Sequence, residues 1–269
     1  MKKQIMNLFF CLFIAIFTLS MLSSFALAQK RFEGYLEQTT VRKSDMPMQP
    51  REVTEKEKVF YKAGKFKTMN LTTGKSMIYR FDKELMWTID HNDKSFTEVT
   101  FAQMKEGMQK MRSAMKQEMK DISPEERKMM EKLMGKKMGK MLGGDEGGFE
   151  ISIKRTGKKK NIMGYSCEQV FLNMNDEPMM EMWITNKYSM GNDFLKVYEK
   201  MGFMKGELPE DAKKIQGIPL ATSMTIDMGM GKMESETKVT KLEKTSVSDR
   251  EFEVPKGYNK KNSKMPFGK

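Results

Sequence analysis

The sequence predicts an α+β fold, one extended antiparallel sheet of about a dozen strands with a helical cover. Three observations lead there. Short alternating apolar and polar runs, punctuated by Gly, Asn and Asp, fill most of the chain. Residues 101–142 switch to the helical period, with methionine at steps of three and four. A shorter helical stretch follows from Asp193.

The chain opens with Lys2 and Lys3, then an apolar run from Leu8 to Phe17, then Ala26-Leu27-Ala28. This is the form of a cleavable secretory signal peptide over residues 1–28, cut after Ala28. The run is too short for a comfortable membrane span, and no later segment is long and apolar enough to cross. One domain is expected over 29–258, in the periplasm or otherwise outside the cytoplasm.

The first set of strands is a meander. Phe32 to Val41 and Val53 to Tyr61 come first, with the loop Ser44 to Pro50 between them. Ala63-Gly64 turns into Phe66 to Leu71, and Thr73-Gly74 into a strand alternating Met77, Tyr79 and Phe81. Leu85, Trp87 and Ile89 alternate next, Asn92-Asp93 turns, and Ser95 to Val99 closes the set.

The helical block is read as a hairpin. Phe101, Met104, Met108, Met111, Met115, Met119 and Ile122 form one stripe. Thr100 and Gln103 have the spacing of a capping box, and Ser123 with Glu126 starts a second helix the same way, Pro124 at its first position. That arm carries Met130, Leu133, Met134, Met138 and Met141 and stops at Gly143-Gly144.

Strands resume with Phe149, Ile151 and Ile153. Gly157 to Asn161 is read as a turn and Ile162 to Asn173 as a long strand. After Pro178, Met180, Met182 and Ile184 share a face. A helix over Asp193 to Met201 buries Phe194, Tyr198 and Met201, and Gly202 caps it. The last strands run from Ile218 to Met230, Met233 to Val247 and Glu251 to Val254. Residues 259–269 are polar and read as a disordered tail.

Composition narrows the function classes. The formal charge is +12, with one His, two Cys and 31 Met. For an exported chain the positive charge suits an anionic membrane surface rather than nucleic acid. Cys11 leaves with the signal, and Cys167, alone in a strand, reads as a small buried apolar group. His91 beside Asn92-Asp93 reads as an exposed turn residue, so a His-based nucleophile system is not expected. No phosphate loop or His-Glu-x-x-His motif occurs. The expectation is a non-enzyme without a cofactor.

Three short stretches carry a resemblance: Ile162-Met163-Gly164-Tyr165-Ser166-Cys167-Glu168, Met182-Trp183-Ile184-Thr185, and Phe252-Glu253-Val254-Pro255-Lys256-Gly257-Tyr258. In this order they resemble an uncharacterised family of exported bacterial domains, and more distantly the LolA and LolB lipoprotein-carrier superfamily. The resemblance implies a curved, incompletely closed sheet, a half-barrel, with helices across its open face and acyl chains held in an apolar cavity. No site residue is carried over from it.

The methionines admit three readings. They pack a core, they line an adaptable apolar cavity, or they bind Cu(I) through thioethers. The cavity reading, for a lipid or lipoprotein acyl chain, points to Met104, Met108, Met111 and Met115, with Trp87 and Trp183. The copper reading points to Met46, Met48, Met180, Met182, Met228 and Met230. A further alternative is a protein-interaction module docking through the Met hairpin 101–142.

Overall fold

In the computed structural model the described residues are 30–47, 49–121, 123, 125, 126, 150–202, 204, 206–227 and 231–262. From Arg31 onward they belong to one folded unit. The elements in chain order begin with β1 (Gly34–Ser44), β2 (Glu52–Lys62), β3 (Lys65–Asn70), β4 (Lys75–Arg80), β5 (Leu85–Asp90) and β6 (Ser95–Thr100). Helix α1 (Phe101–Asp121) follows, then β7 (Ile151–Ile162), β8 (Tyr165–Met174) and β9 (Glu177–Thr185). Next come α2 (Asp193–Lys200), α3 (Glu210–Lys213), β10 (Ile218–Asp227), β11 (Lys232–Lys244), a 3-10 turn (Asp249–Phe252) and β12 (Asn259–Lys260).

The strands form one 12-stranded sheet in the order β12-β6-β5-β4-β3-β2-β1-β11-β10-β9-β8-β7. It is curved and open, as expected. All pairs are antiparallel except β12 on β6. The two ends of the order are handled differently. β12 caps β6 by pairing Asn259 with Ser95 and Lys260 with Phe96. At the other edge β7 breaks register between Arg155 and Lys159, where Lys158, Lys159 and Lys160 stand. A bulge and a run of positive charge discourage another strand from adding there.

Alternation along the strands creates two faces. The face here called inner presents Leu36, Val59, Phe66, Tyr79 and Met86 in successive strands, because Leu36 pairs with Val59, Tyr61 with Phe66, Phe66 with Tyr79, and Tyr79 with Met86. Helices α1 and α2 lie on it. Phe101 of α1 packs with Val197 and Met201 over Tyr79, Phe81 and Met86. The outer face of β4 and β5 presents Ile78, Trp87 and Ile89, which Val247 and Phe252 of the C-terminal segment cover.

The capping boxes form as read. Thr100 N–H donates to Gln103 Oε1 at 2.9 Å and Gln103 N–H to Thr100 Oγ1 at 3.1 Å. Ser123 N–H donates to Glu126 Oε2 at 2.9 Å and Glu126 N–H to Ser123 Oγ at 3.2 Å. The arm from Met130 to Met141, residues 143–148 and the expected signal peptide over 1–28 lie outside the described residues. On α2 the side chains of Phe194 and Tyr198 lie outside them too, while Leu195, Val197 and Met201 are buried.

Several expectations need correction. Ile162 to Asn173 is not one strand: Ile162 pairs with Tyr165 across the two-residue turn Met163-Gly164. Both turn residues have positive φ, 54° and 80°, the geometry that suits a tight hairpin. Asn161 Oδ1 accepts from Gly164 N–H at 2.9 Å and holds the turn. Gly157 to Asn161 is therefore part of β7, bulged rather than turned. Glu251 to Val254 is no strand, because residues 249–252 coil into the 3-10 turn and bury Phe252 completely. Asn259 and Lys260, read as tail, are strand. α3 had no periodic signal, being four residues long. His91 is half-buried rather than exposed, bonded through Nε2 to Ser76 Oγ at 2.8 Å and through Nδ1 to Tyr258 Oη at 2.9 Å.

Candidate binding pocket

The register of five strands builds the floor of a pocket on the inner face. One row runs Met182, Thr222, Thr237, Thr40, Glu55 across β9, β10, β11, β1 and β2. Beside it stand Leu220, Val239 and Gln38, and then Leu36, Val59 and Thr68. Each of these side chains points the same way because strand side chains alternate with period two. The side wall comes from Ile151, Leu172, Met179 and Met180.

The roof is irregular chain: Met190-Gly191-Asn192, Leu195 at the start of α2, and Ile215 to Gly217. Its two segments are tied together, with Met190 N–H donating to Gln216 O at 2.7 Å and Asn192 Nδ2 to Lys213 O at 3.4 Å. It is tied to the floor by Tyr61, whose hydroxyl donates to the carbonyl of Met190. Burial, and then the charge of Asp193, push the Tyr61 hydroxyl up to about 12 against an opposing effect of Arg31. That tyrosine therefore stays a neutral donor throughout the physiological range.

Gly217 is where the roof meets the sheet most closely. A Cβ there would lie 2.5 Å from both Ile184 Cγ2 and Thr185 O. Only a residue without a side chain lets the segment pass.

The pocket, which is open to solvent on one side, has a volume of about 290 Å³. Its walls are mainly aliphatic and thioether side chains. The polar side chains are Gln38, Thr68, Asn192, Thr222 and Thr237, and among the described lining residues none is charged. Gln38 Nε2 donates to Glu57 Oε2 at 2.7 Å, and Glu55 pairs with Arg42. A space lined this way favours apolar groups through dispersion and exclusion of water.

The expected cavity residues fall elsewhere. Met104 and Met108 sit on α1, the first beside Phe101, the second 2% exposed. Met111 is half-buried on the same helix, and the side chain of Met115 is outside the described set. Trp87 belongs to the outer-face cluster and donates from Nε1 to Glu98 Oε2 at 2.8 Å. Trp183 donates to Glu181 Oε1 at 2.8 Å, with Lys160 Nζ 3.8 Å from its ring centre. None of these described residues lines the pocket.

Of the thioethers considered for copper, Met180 and Met182 reach the pocket, and Met46 borders a separate polar groove with Asp45 and Lys232. Met48, Met228 and Met230 lie outside the described residues. Among the described residues no group of three or more His, Cys, Asp or Glu side chains could hold a metal ion. Cys167 is fully buried, and burial pushes its thiol up from the usual range. Among the described residues no helix is long and apolar enough to cross a membrane. The pocket methionines were visible in the sequence as an alternating strand face, but nothing local marked which sheet face would be roofed.

A curved open sheet with an apolar pocket under a short roof is the class that fold and site define. Residues 102–258 match the family described as a domain of unknown function, DUF4412, and the chain belongs to that family. No curated protein matches it in sequence. Among solved structures it is similar to PNGF-II, at 11% identity and TM-score 0.35, covering 85% of this chain and 31% of that one. The chain thus spans about a third of the length of that protein. It is also similar to a LolA superfamily protein from Nitrosomonas europaea, at 8% identity and TM-score 0.31, covering 84% of this chain and 93% of that one. A DUF1329 family protein from Desulfovibrio piger is 8% identical at TM-score 0.33, covering 82% and 90% respectively.

Proposed function

We propose that this chain is an exported, non-catalytic binding protein that holds an apolar ligand, a lipid or an acyl chain, in the pocket between the sheet and the roof at Met190 to Asn192. The observation that supports it is the lining: about 290 Å³ of space walled by Leu, Ile, Val and four methionines, with no charged side chain among the described lining residues. The volume sits near the lower end of small-molecule sites, roughly 300–1,000 Å³, which suits one chain rather than a bundle of them. Met179, Met180, Met182 and Met190 give walls that adapt to chains of different length, since the thioether side chain is unbranched and polarisable. The signal-like first 28 residues support export. The positive charge, +10 once Lys2 and Lys3 leave with the first 28 residues, supports transient contact with an anionic membrane surface from which such a ligand would come.

The test is titration of the purified full chain with a fluorescent acyl probe, alongside native mass spectrometry and organic extraction of material purified without detergent. Saturable one-to-one probe binding, reduced at least tenfold by Val239→Trp with the far-UV spectrum unchanged, is the expected result. Wild-type protein that binds no probe and yields no extractable lipid overturns the reading.

A further inference from the structure

The floor of the pocket is not uniformly apolar: Thr68 stands beside Val59, and the other polar floor groups, Gln38, Thr222 and Thr237, lie together. Thr222, Thr237 and Thr40 stand side by side across β10, β11 and β1. Thr40 Oγ1 and Thr237 Oγ1 are 2.9 Å apart. Gln38 lies one inward position along β1 from Thr40, and its Nε2 is committed to Glu57, which leaves its Oε1 as an acceptor toward the pocket. Among the described residues the hydroxyl of Thr222 has no hydrogen-bond partner. Leu220, Val239, Leu36 and Val59 continue the floor beside this strip as an aliphatic surface that ends at Thr68.

We infer that the ligand is an amphiphile with an uncharged, hydrogen-bonding head, an ester, amide or alcohol, seated on Gln38, Thr222 and Thr237, with its hydrocarbon against Leu36, Val59, Leu220 and Val239. This rests on the pocket reading above and narrows it. A plain hydrocarbon would cover the hydroxyl of Thr222 and the Oε1 of Gln38 without giving either a partner, which is costly. An anionic head would be worse. Among the described lining residues there is no cation to receive it, the row ends on a second carboxylate, Glu55, paired with Arg42, and Glu57 stands behind Gln38. A carboxylate moved into such a site loses its hydration without compensation. Hydroxyls and an amide oxygen, which both donate and accept as a set, match an ester or alcohol head.

The experiment is displacement of a bound all-hydrocarbon fluorophore, which has no hydrogen-bonding head, from the full chain at pH 8, where a fatty acid is ionised. The competitors are dodecanoate, dodecanol and monododecanoylglycerol. The glycerol ester is expected to compete at least about tenfold better than dodecanoate. The variants Thr222→Val, Thr237→Val and Gln38→Leu are each expected to weaken the ester by about three- to tenfold without weakening the hydrocarbon fluorophore, which makes no hydrogen bond to them. The threonine variants keep side-chain shape and strand preference, so the fluorophore reports that the pocket is intact. Dodecanoate competing as well as the ester, or variants that leave the ester unaffected while the fluorophore still binds, would overturn this inference and leave the pocket reading standing. If neither the fluorophore nor any competitor binds, both fail together.

Discussion

His91 Nδ1 and Tyr258 Oη lie 2.9 Å apart, and their rings meet edge-on with centroids 5.7 Å apart. The pair joins the β5–β6 turn to the last residues before β12. Ser76 Oγ bonds the other ring nitrogen at 2.8 Å. A residue that the sequence offered as turn decoration is thus a tether for the C-terminal segment that covers Ile78 and Trp87.

The tether predicts a pH dependence. Burial, and then the charge of Lys67, lower the His91 pKa below its ordinary 6.5 against an opposing effect of Asp90. A depressed folded value means that the unfolded chain takes the proton first. Stability is therefore complete above about pH 6.5 and falls as pH drops through the folded value. Because the chain has one histidine, its imidazole C–H proton signal reads the titration without assignment. We expect a midpoint below 6.5, and a flatter stability profile between pH 5 and 7 in His91→Gln. A midpoint at or above 6.5 removes the argument.

Tyr61 works at the opposite end of the scale. Its folded value of about 12 against 10.0 unfolded means stability is intact below pH 10 and declines as pH rises from 10 toward 12. The loss is on the order of 2–3 kcal/mol at the top of that window. Ultraviolet titration at the tyrosinate band should show one tyrosine ionising late, and Tyr61→Phe should abolish that step. The same variant frees Met190, so acyl-probe affinity is expected to drop as the roof loosens.

Gly217→Ala tests the close approach of roof and sheet. The added methyl meets Ile184 Cγ2 and the Thr185 carbonyl at 2.5 Å, and the carbonyl is backbone that moves only with β9. Overpacking of this kind costs about 1–3 kcal/mol. Denaturant unfolding should show a lower midpoint with an unchanged slope. An unchanged midpoint would mean that the segment shifts freely.

Arg80 is 4% exposed, pairs with Asp82 at 2.7 Å and with Glu253, and donates to the carbonyl of Phe252 at 3.2 Å. Arg80→Met keeps the packing under Trp87 but removes every one of these bonds. Both carboxylates stay partly in water, so the expected loss is about 1–3 kcal/mol rather than the larger penalty of an orphaned buried charge. Amide exchange should quicken in residues 247–260 before it does so in β1 or β2. Uniform exchange across the sheet would show that Arg80 does not hold this segment.

How much of this was legible in the sequence varies by the range of the interaction. The β3 to β6 hairpins were readable because each strand alternates on its own and each turn carries its own signal, with Gly74 at φ 67° in one of them. The two capping boxes were readable for the same reason: their bonds close within four residues. Met163-Gly164 was misread because apolar residues run through the turn, so that no break in polarity marked it. Glu251 to Val254 was misread because alternation there reflects a single anchored side chain, Phe252, rather than a strand.

The pocket belongs to the other category. Met180, Met182 and the inward threonines could be placed on strand faces from local spacing, but their meeting depends on β1 pairing with β11, some 200 residues away in the chain. The expected cavity on α1 followed the strongest periodic signal, whereas the pocket seen among the described residues lies under Met190 to Asn192 and Ile215 to Gly217, irregular segments with no period to read. Period and composition establish which elements exist and which side of each is apolar, since those depend on neighbours a few residues apart. Which apolar sides face one another, where polar side chains line up in a row, and what is roofed are settled by register and long-range packing, whose energies no local window contains.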